Sequence, residues 1–272
     1  VTHWIHPKHP PSKDHATTQF EVEWTVDKVQ RMSFDDAADY TADLIQKKYP
    51  ELYLCLSGGM DSIFVGDVLL RNKIPFVPVI VDYFGVDPDV WYAYHWCDQH
   101  NITPIVHKIT AENNDEFIRH LLKHAVKNST DVNIGYITNI AADIIPVTGS
   151  LITGCGEPLH VPFTYDDISP EYIEIHECCY YVQMSYGTDQ HPGGLFNYTP
   201  EMLFNMVREA DLNKNTQEIK SKLYRAPFRP KINNVNDICH WGQWEGLKNK
   251  MLKDHDLKSQ KIKKVDFLAS AP

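Results

Sequence analysis

The stretch Leu56-Ser57-Gly58-Gly59-Met60-Asp61-Ser62 gathers the residue types that hold a polyphosphate. Adjacent glycines let the backbone bend sharply around an anion. Ser57 and Ser62 add hydroxyl donors, and Asp61 offers a carboxylate to the magnesium that accompanies polyphosphate. Glycine is scarce in this chain, 13 residues of 272, so a side-by-side pair marks a specific backbone demand. The string lies between an apolar strand expected at 52–56 and a helix expected at 61–71. A turn in that setting presents unpaired N–H groups and the positive end of a helix dipole beyond the carboxyl end of the strand. A plain strand-to-helix turn capped by Ser57 or Asp61 is the competing reading. Neither G-x-x-x-x-G-K-[ST] nor G-x-G-x-x-G occurs, so any phosphate cradle here is of a different type.

The surrounding pattern supplies elements that could position this loop. Residues 20–26, Phe-Glu-Val-Glu-Trp-Thr-Val, alternate strictly and predict a strand with one buried face. Ser33-x-x-Asp36 resembles a capping box. Phe34, Ala37, Ala38, Ala42 and Ile45 follow at helical spacing, with Lys47 and Lys48 at the negative end of the dipole and Pro50 as the stop. Strands at 52–56, 76–81, 105–109 and 150–153 then alternate with helices at 61–71, 87–100, 115–127 and 133–145. That order predicts an α/β fold, a parallel sheet flanked by helices. Pro78 cannot donate to a ladder and sits awkwardly inside its strand. Beyond about residue 160 the rhythm changes: 172–186 reads as a hairpin or edge strands, and 200–209, 216–224 and 237–252 read as helices. The expected division is a flexible arm over 1–19, a nucleotide-binding domain over 20–160, and a mixed, helix-rich substrate or completion region over 161–272.

Composition narrows the partners. Lys+Arg 26 against Asp+Glu 36 gives a net charge of −10, and an acidic chain gains nothing from the counterion release that drives nucleic-acid binding. No apolar run approaches the ~20 residues that span a bilayer, and the first residues lack a basic leader and an apolar core segment, so a cytoplasmic protein without a membrane partner is expected. None of the six cysteines (Cys55, Cys97, Cys155, Cys178, Cys179 and Cys239) belongs to a C-x-x-C pair, and free thiols are expected. His160 and His176 read as ordinary polar residues.

In its strand–loop–helix setting, Ser57-Gly58-Gly59-Met60-Asp61-Ser62 resembles the PP-loop of the N-type ATP pyrophosphatases, the adenine nucleotide alpha-hydrolase superfamily with its HUP, Rossmann-like fold. Val79-Ile80-Val81-Asp82 resembles the family's next strand, which ends beside the adenosine. Thr153-Gly154-Cys155-Gly156-Glu157 resembles its later glycine-rich acidic turn. The lead-in, Phe34-Asp35-Asp36-Ala37-Ala38 through Leu54-Cys55-Leu56-Ser57-Gly58-Gly59, is similar to the synthetase domain of asparagine synthetases. The resemblance covers about residues 30–160.

What the resemblance implies is cleavage of ATP between its α and β phosphates, with Mg²⁺. A substrate carbonyl or carboxylate oxygen attacks the α-phosphorus, and ammonia or an amine then displaces AMP. Leu56, Ser57, Gly58, Gly59, Met60, Asp61 and Ser62 are implied as the cradle, Asp82, Gly154 and Gly156 as the nucleotide border, and Asp61 and Glu157 as metal-holding and catalytic groups. For Glu157, orientation of an amine and a plain surface turn before Pro158 stay open as well. Family synthetases place a downstream lysine on the leaving group. The densest basic cluster before the tail is Lys220, Lys222, Arg225, Arg229 and Lys231, and one of these five is expected to fold back onto the leaving group, with Lys222 and Lys231 singled out as catalytic. The expected partners are ATP and a small-molecule substrate, and a homodimer is allowed. No cysteine precedes Cys55, so a glutaminase half with an amino-terminal cysteine is not expected. The family's asparagine synthetases end the acidic turn with Asp-Glu, whereas Pro158 follows Glu157 here. The alternatives from other classes are a non-catalytic nucleotide-binding module and a sulfonucleotide or sulfur-transfer enzyme of the same fold.

Overall fold

A computed structural model describes residues 5–8, 21–24, 28–83, 88–110, 114–127, 137–160, 174–175, 182–183, 185–187, 189–210 and 216–225. Strand β1 (Ile5–Lys8), within the stretch read as the arm, pairs antiparallel with β2 (Glu21–Trp24). Helix α1 (Phe34–Lys48) opens as its sequence predicts: Ser33 Oγ accepts from the Asp36 N–H at 3.1 Å. Then come β3 (Leu52–Cys55), α2 (Met60–Arg71), β4 (Phe76–Tyr83), α3 (Pro88–Gln99) and β5 (Ile105–Ile109). Helices α4 (Asn114–Lys127) and α5 (Ile137–Ile144) lead to β6 (Ser150–Thr153). Short strands β7 (Pro158–His160) and β8 (Glu174–Ile175) pair antiparallel, and β9 (Gly193–Gly194) precedes α6 (Pro200–Glu209) and α7 (Thr216–Tyr224). Residues 182–183 and 185–186 are helical rather than extended: Val182, Ser185 and Tyr186 fall at helical spacing, with Val182 and Ser185 buried. The helix expected at 237–252 lies outside the described residues.

The main sheet has the order β5-β4-β3-β6-β9, and every pairing in it is parallel. Its central strands β3, β4 and β6 are largely apolar because helices cover both faces. Side chains alternate between those faces. Leu54, Ile80 and Ile152 pack into the core that α1, α2 and α6 cover, whereas Tyr53, Val79 and Leu151 pack against α4 and α5. Full burial of aliphatic side chains such as Leu54, Ile80 and Ile152 stabilises the fold by roughly 1.5–3 kcal/mol each. Pro78 is tolerated because β5 begins opposite Val79, leaving Pro78 paired with β3 alone. Strand order reverses between β3 and β6. At such a switch point the loops leaving neighbouring strands diverge to opposite faces and open a crevice beyond the carboxyl ends. The loop 56–62 leaves β3 at that point, and the turn 154–157 leaves β6 beside it.

Candidate functional site

Leu56 extends the β3 pairing by one bond, its N–H donating to Val79 O at 2.9 Å, and the chain then turns at Gly58. Gly58 has φ +89, and a Cβ there would lie 1.7 Å from the Asp89 carbonyl oxygen, so only glycine fits between the loop and the first turn of α3. Gly59 is the N-cap of α2 and brings no side chain to cap it. The serines instead brace the loop that enters the helix. The Gly58 N–H donates to Ser62 Oγ at 3.2 Å, the Gly59 N–H donates to Ser57 Oγ at 3.3 Å, and Ser62 Oγ donates to Gly59 O at 3.0 Å. Ser57 and Ser62 also bond each other at 3.1 Å. The loop amides thus converge on oxygen acceptors held at the helix N-terminus.

The turn after β6 is locked against this loop by its own glycines. A Cβ at Gly154 would lie 2.5 Å from Ser62 N and 2.8 Å from Asp61 C, so the two backbones touch. Gly156, with φ +99, turns the chain and directs Glu157 inward, where the residue is 8% exposed. Across the crevice comes α7. Lys220 Nζ donates to Asp61 Oδ2 at 2.6 Å and to Glu157 Oε1 at 3.1 Å. Tyr224 OH donates to Asp61 Oδ1 at 2.6 Å. One helical turn separates Lys220 from Tyr224, so a single face of α7 supplies both donors. Tyr224 is fixed by stacking on Phe64, centroid to centroid 4.4 Å, and Phe64 belongs to the same helix as Asp61.

Charge and burial act together here. Burial alone would lower the Lys220 ammonium, but the attraction of Asp61 and Glu157, with hydrogen bonds to both, outweighs it and raises its pKa. Burial raises the Glu157 carboxyl and the nearby Asp61 charge adds to this, while Lys220 pulls the other way. Burial, reinforced by Asp61, pushes the Tyr224 hydroxyl well up, so it remains a donor. Glu157 Oε2 is buried without a hydrogen-bond partner among the described residues. A buried, orphaned carboxylate oxygen beside a second carboxylate suits a cation, and the donor set is of the oxygen type that magnesium takes.

The structure therefore brings together Ser57, Gly58, Gly59, Asp61, Ser62, Gly154, Gly156 and Glu157. Asp82 lies in the last two residues of β4, at the same end of the sheet, where Tyr94 OH donates to its Oδ2 at 3.2 Å and its Oδ1 is buried without a partner among the described residues. Leu56 and Met60 send their side chains into the hydrophobic core, so only their backbones can reach a ligand. Lys222 is exposed on the far side of α7 from the crevice, and the lysine against Asp61 is Lys220. Arg225 pairs at the surface with Asp35, and Arg229 and Lys231 lie outside the described residues. Tyr224 was not anticipated. Its signal was present in the run Ile219-Lys220-x-x-Leu223-Tyr224, which puts both residues on the apolar face of the helix while Lys222 points away.

No protein-family model matches the chain, and no curated protein matches it. Among solved structures, it is similar to an NMN synthetase from Francisella tularensis at 13% identity and a TM-score of 0.33, over 45% of this chain and 54% of that one. An NH3-dependent NAD synthetase from Campylobacter jejuni aligns at 18% identity and a TM-score of 0.32, over 44% of this chain and 56% of that one. A glutamine-dependent NAD+ synthetase from Acinetobacter baumannii aligns at 11% identity and a TM-score of 0.35, over 77% of this chain and 39% of that one. The chain thus spans about half the length of the first two of these structures, and at such scores the site rests on its own geometry.

Proposed function

We propose that the protein is an ATP-dependent synthetase of the PP-loop type. It cleaves ATP to AMP and pyrophosphate and adenylates a small carboxylate, amide or carbonyl substrate for attack by ammonia or an amine. The observation that carries this reading is the meeting of Asp61, Glu157 and Lys220 where the loop after β3 and the turn after β6 touch, at the point where strand order reverses. The Gly58 and Gly59 amides and the Ser57 and Ser62 hydroxyls cluster at the start of α2, and phosphate oxygens would accept from these donors. Asp61 and Glu157 would hold magnesium, which neutralises charge on the phosphates when bound. Lys220, held ready by the two carboxylates, takes the role expected of Lys222 or Lys231 and stabilises the departing pyrophosphate.

In the first half-reaction the substrate oxygen forms a bond to the α-phosphorus as the bridge to the β-phosphate breaks, and pyrophosphate leaves with that electron pair. In the second, the amine attacks the activated carbon and AMP leaves. No helix among the described residues is long and apolar enough to cross a membrane. A pyrophosphate-release assay with AMP detection, run with Mg²⁺ and ATP across amino acids and related carboxylates with ammonia, tests the reading. Asp61→Asn is expected to lower release by on the order of 100-fold with an unchanged circular dichroism spectrum. Saturable ATP binding with no pyrophosphate release under any acceptor would point instead to a non-catalytic nucleotide-binding module.

A further inference from the structure

On the opposite face of the sheet from the aromatic core that holds Tyr224, helices α4 and α5 bring together a second set of chemically capable side chains. His120 and His124 lie four positions apart on α4 and so share one face. Asp143 reaches them from α5. His120 Nδ1 is 3.2 Å from Asp143 Oδ2, and His124 Nε2 is 3.5 Å from the same oxygen. One ligating atom from each of the three residues lies within 4.8 Å of the others. We propose that His120, His124 and Asp143 form a binding site for a zinc-class divalent cation, separate from the crevice around Asp61.

The dimensions fit. A tetrahedral zinc ion with bonds of about 2.0–2.1 Å spaces its ligand atoms about 3.3 Å apart, which the two imidazole–carboxylate distances match. Nitrogen ligands with a single carboxylate favour zinc and its late first-row neighbours over magnesium or calcium, which prefer all-oxygen sets. The outer partners are of the kind that orient metal ligands. Ser185 Oγ lies 3.1 Å from His124 Nδ1, Asn139 Nδ2 donates to Ser185 Oγ at 2.6 Å, and Tyr186 OH donates to the other Asp143 oxygen. These contacts hold the His124 ring with its Nε2 toward Asp143.

Three protein ligands leave a fourth position for water. His120 and Asp143 line a cavity of about 240 Å³ that His107 and Glu116 also border, which gives that water space and further polar neighbours. Lys123 is the competing cation, 3.4 Å from Asp143 Oδ2, but its side chain is 61% exposed and can swing into solvent.

The test is titration of the full-length, chelator-treated protein with Zn²⁺ alone, followed by calorimetry and by equilibrium dialysis with metal analysis. The expected result is saturable, near-stoichiometric binding that millimolar Mg²⁺ does not displace and that raises the melting temperature. His120→Asn should weaken it by at least about 100-fold, whereas Asp61→Asn in the other crevice should leave it unchanged. Should His120→Asn fail to fold, the visible spectrum of the Co²⁺-loaded wild type decides instead: intense tetrahedral bands support the site, and weak octahedral absorption overturns it. Absence of saturable zinc binding, or binding within about threefold of wild type in folded His120→Asn, also overturns the proposal. Neither outcome bears on ATP cleavage.

Discussion

Lys220 Nζ bridges Asp61 Oδ2 at 2.6 Å and Glu157 Oε1 at 3.1 Å, joining residues 159 and 63 positions apart in the chain. This contact fixes α7 across the mouth of the crevice and leaves two carboxylates balanced by a single ammonium. Lys220→Met is therefore expected to do more than remove a bond: it leaves buried acidic groups facing each other, and the fold should lose about 3 kcal/mol in a denaturant titration. Adding Glu157→Gln to Lys220→Met should recover part of that loss, because the uncompensated charge goes with it. Additive losses would show that the carboxylates do not share the lysine.

The contact between the two loops predicts a steric result. At Gly154 a methyl group would meet the Ser62 and Asp61 backbone at 2.5–2.8 Å, and backbone cannot rotate aside as a side chain can. Gly154→Ala should cost about 1–3 kcal/mol in thermal or denaturant unfolding and separate Asp61 from Glu157. ATP binding, measured by calorimetry, should weaken with it. Gly187→Ala serves as the comparison: unlike Gly154 it has positive φ, +94, but nothing lies within 4 Å of its Cβ position, so it should strain the backbone without touching nucleotide affinity.

An acid-sensitive joint holds the edge of the sheet. The Leu151 N–H donates to His191 Nδ1 at 3.0 Å, so an imidazole stands in for a strand acceptor just before β9 begins. Burial lowers His191 from 6.5 to about 4. The unfolded chain then takes up a proton that the folded one refuses. Stability from this group is complete above about pH 6.5 and is lost progressively as the pH falls toward about 4, by roughly 3 kcal/mol in all. His191→Asn keeps an acceptor for Leu151 and removes the titration, so it should flatten the unfolding free energy over that interval. An unchanged slope would assign the acid sensitivity to other groups.

Much of this arrangement is legible in the sequence, for reasons that differ from element to element. Strands β3 and β6 and the loop between β3 and α2 are written in local pattern: an apolar run, a glycine pair, then a periodic helix. Strand β9 is two glycines and has no side chains to alternate; only pairing with Ile152 and Thr153 makes it a strand. The basic cluster from Lys220 to Lys231 is plain in the sequence, but which lysine of α7 faces the crevice depends on how that helix docks. That docking is set by the stacking of Tyr224 on Phe64 and Phe196, a contact between segments far apart in sequence. The pair His120 and His124 was visible at helical spacing, whereas Asp143 joins it only because α4 and α5 pack side by side.

Tyr224 allows stability and chemistry to be separated. Its ring stacks with Phe34, Phe64 and Phe196, while its hydroxyl holds Asp61 Oδ1 at 2.6 Å. Tyr224→Phe keeps the ring and removes only the bond, so it should cost about 1.5–3 kcal/mol, the range for a hydrogen bond to a charged group. Tyr224→Ala removes the stack as well and should cost about 3–5 kcal/mol. The Tyr224 hydroxyl is bonded to Asp61, so it acts through that carboxylate and is a positioning residue. With Asp61 less constrained, the Mg²⁺ concentration needed for half-maximal pyrophosphate release by Tyr224→Phe should rise several-fold, and saturating Mg²⁺ should restore most of the rate. A variant whose rate stays low at every Mg²⁺ concentration would instead place the hydroxyl on the reacting groups themselves.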